Sequence, residues 1–146
     1  MVSCQLMSSE LEAWYKSDAG RGCTKIQNLS HTMFGTRAAP ACLLKGAETN
    51  GLLLFLVGSL LDRYRDIPQW ADVRRAGSAL VTLLRLIHQY PKKCSAKAVH
   101  EFIDNTKRYL KVVDTLKWHT KPKDHQAMHL THRAMEMGSP ALYGNW

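Results

Sequence analysis

The 146-residue chain lacks most of the short motifs that name a reaction. It has no C-x-x-C pair. Cys4, Cys23, Cys42 and Cys94 stand too far apart for any zinc-ligand spacing. A disulfide scaffold would be denser in cysteine, so the four read as reduced thiols of an intracellular protein. No G-x-x-x-x-G-K-[ST], G-x-G-x-x-G or G-x-S-x-G occurs, which leaves phosphate cradles, dinucleotide folds and nucleophile elbows without support. The longest apolar run goes from Leu52 to Val57 and, through Gly58 and Ser59, to Leu61. It falls far short of the ~20 residues of a membrane span and reads as a buried helix, so no membrane partner is expected. Met1-Val-Ser-Cys-Gln-Leu offers no basic segment ahead of an apolar one, and no secretory signal is expected. Aromatic residues make up only 8%, so the core must rest on Leu, Val, Ile, Met and Ala. No alternation of strand period occurs between 48 and 137.

What is present is apolar periodicity and positive charge. A hydrophobic share of 45% with 22% charged residues suits a globular domain with a sizeable core. Twenty lysines and arginines against twelve carboxylates give +8, a balance that favours polyanionic partners. Residues 1–46 read as an irregular N-terminal arm. Its one short helix runs from Glu10 to about Lys16, capped by Ser8 or Ser9. Residues 47–146 read as a helical domain. A helix capped by Thr49 or Asn50 runs to about Arg65, apolar on nearly all sides and therefore expected at the centre of a core. A second starts near Gln69 or Trp70 and ends before Pro91, with Trp70, Val73, Gly77, Leu80, Leu84 and Ile87 as its packed stripe. A third, capped by Ser95, runs to about Trp118. Val99, Phe102, Ile103, Thr106, Leu110, Val113 and Leu116 form its stripe, and Lys97, Lys107, Arg108 and Lys111 lie away from it. A fourth runs from Asp124 to about Met137, with Gly138 and Pro140 as its stop. The fold class is all-α, four main helices packed as an antiparallel bundle-like domain behind the arm.

The fourth helix carries the densest chemistry. His125, His129 and His132 fall within roughly 60° of arc on a helix, and Glu136 continues the stripe. His125 and His129 can bracket one ion, His129 with His132 and His132 with Glu136 are alternative pairs, and zinc is the ion such a site would take. The stripe is about 16 Å long, too long for one four-ligand site. A further ligand from His119, His100 or a cysteine would be needed. H-E-x-x-H is absent, because Gln126 follows His125. A second reading takes Lys117, His119, Lys121, Lys123, His125 and Arg133 as a basic segment around a helix N-terminus, suited to phosphate contact. A third takes the histidines as ordinary groups on a solvated face.

The stretch Lys121-Pro122-Lys123-x-His125-x-x-x-His129, followed by Gly138-x-Pro140, resembles part of the CACTA-like and related DDE transposases. Tyr109 and Leu110 leading into Trp118 are similar in layout to the helix that precedes it there. The resemblance covers residues 70–146 and implies the α-helical region inserted in an RNase-H-like catalytic domain, ahead of the last catalytic carboxylate. It also implies a nuclear protein that contacts nucleic acid. Two departures matter: Ser139 splits the Gly-Pro turn, and no pair of catalytic aspartates is recognisable. Asp62, Asp66, Asp72, Asp104 and Asp114 read as helix-surface or helix-end residues. The expectation is a basic helical domain of mobile-element descent, non-catalytic as it stands, contacting nucleic acid through 117–133. A helical scaffold for a protein partner and a zinc site on the histidine helix are the alternatives.

Overall fold

A computed structural model describes residues 4–36, 42–90 and 94–118, together with His129 and Arg133. The fold is all-α, and no strand occurs among the described residues. Among the described residues of 4–118 the helices are α1 (Cys4–Tyr15), α2 (Gly46–Phe55), α3 (Leu61–Arg63), α4 (Ala71–Gln89) and α5 (Ala96–Thr115). Between α2 and α3 the helical path continues as a π-helical stretch, Leu56–Leu60, in which the Leu61 N–H reaches back five residues to the Leu56 carbonyl. Short 3₁₀ turns occupy His31–Phe34 and Pro68–Trp70.

The chain divides into two compact units, Met1–Asp62 and Arg63–Trp146. The sequence puts the boundary at 46/47, where a helical period sets in. Tertiary packing puts the N-terminal residues and α2 in one unit. Leu11, Tyr15, Ile26, Leu52 and Phe55 form one buried cluster. The Tyr15 hydroxyl fastens it, donating to the Thr24 carbonyl (3.3 Å) and accepting from the Ile26 N–H (3.1 Å). Trp14 meets Phe55 edge-on, with ring centroids 5.8 Å apart.

Three sequence expectations change here. The first helix starts at Cys4, and Ser9 lies inside it as a donor to the Gln5 carbonyl (3.1 Å) instead of capping it. The second starts at Gly46, and neither Thr49 nor Asn50 caps it. The Glu48 carboxylate accepts the Lys45 N–H at 2.9 Å and closes the end from inside the first turn. That helix is also not central. Leu52 and Phe55 are buried, but Leu54 is exposed and Leu56, Val57, Leu60 and Leu61 are half-buried, because the cluster around Leu11 and Tyr15 covers one side of it.

In the second unit α4 and α5 form an antiparallel hairpin, the expected arrangement of its two helices. Leu83, Leu86 and Ile87 near the end of α4 pack on Ala98 and Phe102 near the start of α5. The Arg85 guanidinium and the Glu101 carboxylate bridge the two helices at 2.9 Å. The packed stripe of α4 is rotated from the expected one. Ala76, Gly77, Ala79, Leu83, Leu86 and Ile87 are buried, Leu80, Leu84 and Val73 are half-buried, and Trp70 is exposed. Two apolar stripes overlap on this helix, and the one with the small alanines wins. Small side chains let helix backbones approach closely. Residues 124–137 lie outside the described residues except for His129 and Arg133, both helical and exposed.

Candidate nucleic-acid interface

Helix α5 places the described cations. Ser95 is extended (ψ 157°), and its hydroxyl accepts the Ala98 N–H at 3.2 Å, an N-cap as expected. One face then buries Ala98, Phe102, Asn105, Thr106, Val112 and Val113. The two buried polar groups are satisfied within the helix: Asn105 Nδ2 donates to the Glu101 carbonyl (2.8 Å) and Thr106 Oγ1 to the Phe102 carbonyl (2.9 Å). Val99, Ile103, Leu110 and Leu116, expected in the core stripe, are half-buried beside it. The opposite face exposes Lys97, His100, Asp104, Lys107, Arg108 and Lys111.

Ion pairing sorts the cations of this unit. Arg75 pairs with Asp72 (2.9 Å), Arg85 with Glu101 (2.9 Å), and Lys117 with Asp114 (3.4 Å). Lys97, Lys107, Arg108 and Lys111 make no ion pair among the described residues. These four belong to no site drawn from the sequence. Their helical period, which put them off the buried stripe, was the available signal.

Lys117 ends α5 in an unusual conformation. Its φ is +51°, the left-handed region that glycine usually fills at this position. The Lys117 N–H bonds the Asp114 carbonyl (3.1 Å) and the Trp118 N–H bonds the Val113 carbonyl (3.0 Å), closing the helix in a Schellman motif. Both partners of the Lys117–Asp114 pair are over 80% exposed, so the pair holds the ammonium only weakly. Replacing Lys117 with Gly should relieve the left-handed strain and raise stability by about 1 kcal/mol, read as a higher urea midpoint. An unchanged or lower midpoint would show that the cap carries no strain.

Of the other residues singled out in the sequence, Arg133 and His129 are helical and exposed, and His129 is engaged in an interaction of its own. His119, Lys121, Lys123, His125 and His132 lie outside the described residues. Among the described residues no three His, Cys, Asp or Glu side chains gather as a metal site. The four cysteines are free. No described helix is long and apolar enough to cross a membrane.

Charge is divided as sharply as packing. The unit Met1–Asp62 holds five lysines and arginines and five carboxylates, a net of zero. The unit Arg63–Trp146 holds fifteen against seven, so the chain's whole +8 resides there. The chain matches no protein-family model, and no curated protein or solved structure is significantly similar to it.

Proposed function

We propose that residues 63–146 act as a basic, non-catalytic helical module that contacts nucleic acid by neutralising phosphates, in a protein of mobile-element descent. The observation that carries this reading is the charge partition. A surplus spread over the whole surface would serve solubility. A surplus held in one unit beside a neutral one concentrates attraction for a polyanion. The resemblance of residues 70–146 to the helical region of DDE transposases supports the same partner, and Lys117, Lys121, Lys123 and Arg133 are the cations of the 117–133 contact segment. Binding should weaken linearly with the logarithm of salt concentration, at about 0.9 slope units per phosphate neutralised. Changing Lys121, Lys123 and Arg133 together to Ala should flatten the slope by about 2–3 units. Failure of both duplex and single-stranded DNA to bind at low salt would end this reading.

A second reading, a scaffold that docks a protein partner, is favoured by the exposed Tyr64, Ile67 and Trp70 near the start of this unit. It requires a complex that survives nuclease treatment and is indifferent to the three cation substitutions.

A further inference from the structure

The outward face of α5 holds four exposed cations that make no ion pair among the described residues, outside the 117–133 segment. We propose that this face is itself a docking surface for duplex nucleic acid, with Lys97, Lys107, Arg108 and Lys111 contacting phosphates. The inference rests on the reading of this unit as a nucleic-acid module and adds a contact surface to it.

The geometry suits a strand of phosphates. The four cations fall within about 100° of arc on a regular helix, and Lys97 to Lys111 spans about 21 Å along the axis. That length runs beside about six base pairs of duplex axis at ~3.4 Å each, with Lys107, Arg108 and Lys111 clustered within about 6 Å of rise at one end. The helix beneath is held in place by the Phe102 cluster and by the Arg85–Glu101 bridge, so the backbone positions that carry the cations are set before a partner arrives. Asp104 lies within this arc, and Asp114 and Glu101 flank it. Asp114 is paired with Lys117 (3.4 Å) and Glu101 with Arg85 (2.9 Å), so Asp104 alone offsets one of the four positive charges and leaves a local surplus of three.

The face also disfavours two other anionic partners. A membrane-surface helix needs large apolar side chains flanking its cations. Here the apolar residues of α5 are buried or half-buried on the other faces, and only Trp118, beyond the helix end, is exposed. Single strands bind through stacked bases on several aromatic rings, and this face offers none within the helix. A duplex, read by its backbone alone, asks only for the cation row.

The test measures binding of the full chain to a fluorescein-labelled mixed-sequence DNA duplex by anisotropy across a salt series. The Lys107→Gln/Arg108→Gln/Lys111→Gln variant should lower the salt slope by about 2–3 units and weaken low-salt binding at least about tenfold. Lys16→Gln/Lys25→Gln/Lys45→Gln removes equal charge from the neutral unit and should change the slope by less than about one unit. Circular dichroism verifies the helix. If the triple variant does not fold, Arg108→Gln alone should lower the slope by about 0.9. Equal losses from both triple variants would reduce the effect to total charge and overturn the proposal. An unchanged slope in the α5 variant, with binding lost on substitution of Lys121, Lys123 and Arg133, would overturn it while leaving the nucleic-acid reading intact. No binding by the unsubstituted chain at low salt would remove both. Loss of binding to phosphatidylserine vesicles but not to duplex would reassign the face to a membrane surface and overturn it as well.

Discussion

Phe55→Ala should destabilise the Met1–Asp62 unit by about 3–5 kcal/mol. Phe55 is the most buried large side chain of that unit, with no exposed surface, and shares its cluster with Leu11, Tyr15, Ile26 and Leu52. Truncation removes the transfer energy of the ring and leaves a cavity between Leu11, Tyr15, Ile26 and Leu52, which the Tyr15 hydroxyl bonds keep from collapsing. Domains rest on only about 5–15 kcal/mol in total, so the loss is a large share of the unit's stability. Hydrogen exchange measured peptide by peptide is the suitable reading, because the described residues form two core clusters, one in each unit. Amides of α1 and α2 should lose protection, and those of α4 and α5 around Phe102 should keep theirs. Retained protection in α1 and α2 would show that Phe55 is not the keystone of the unit.

Gly20→Ala should cost about 3 kcal/mol, the upper end of the range for overpacking. The turn after α1 folds back on the helix end, and a Cβ at position 20 would lie 2.3 Å from the Trp14 carbonyl oxygen and 2.8 Å from the Tyr15 Cα. These are backbone atoms and cannot swing aside. The Trp14 oxygen is moreover held by two donors, the Ser17 N–H (3.0 Å) and the Ser17 hydroxyl (2.6 Å). Admitting a methyl therefore means giving up these bonds or moving Tyr15, whose hydroxyl secures Ile26. Gly22 two residues later is the natural control. Its φ of +85° penalises a side chain, but nothing lies within 4 Å of its Cβ position. Gly22→Ala should therefore cost only about 1–2 kcal/mol. Urea midpoints for the two variants separate the cases, and equal midpoints would mean that the turn yields where the structure holds it fixed.

The periods of α4 and α5 were legible in the sequence, and the start of α5 was legible to the residue. Ser95 caps it, and the four cations sit where a 3.6-residue repeat puts them. Helix starts were less legible where the capping chemistry is indirect. Lys45 is no capping type, and Glu48 does that work from three residues on. Ser8 and Ser9 look like caps, yet Met7 packs against the Leu11–Tyr15 cluster and the Cys4 thiol reaches the Leu29 carbonyl, which favours carrying the helix back past them. The division of the chain was not legible at all. It depends on Tyr15 meeting Ile26 and on Trp14 meeting Phe55, contacts that no local pattern encodes. The rotated stripe of α4 has a related cause. Alanine weighs little in a hydrophobic pattern, but it decides how near two helices come. Of the candidate site, Lys117 was marked for its charge, and its left-handed backbone could be seen only in three dimensions.

The π-helical stretch at Leu56–Leu60 bears on how this chain can vary in length. A π turn carries one residue more than the α-helix around it requires. Losing one residue there would return the path to an ordinary α-helix and leave the axis intact, with Gly58 and its open surroundings the least obstructed place for it. The same deletion inside α4 or α5 would turn every later side chain by about 100° and swing the Phe102 cluster away from its partner. Related chains of different length would be expected to lose a residue at 56–60 and to hold 71–89 and 96–115 constant.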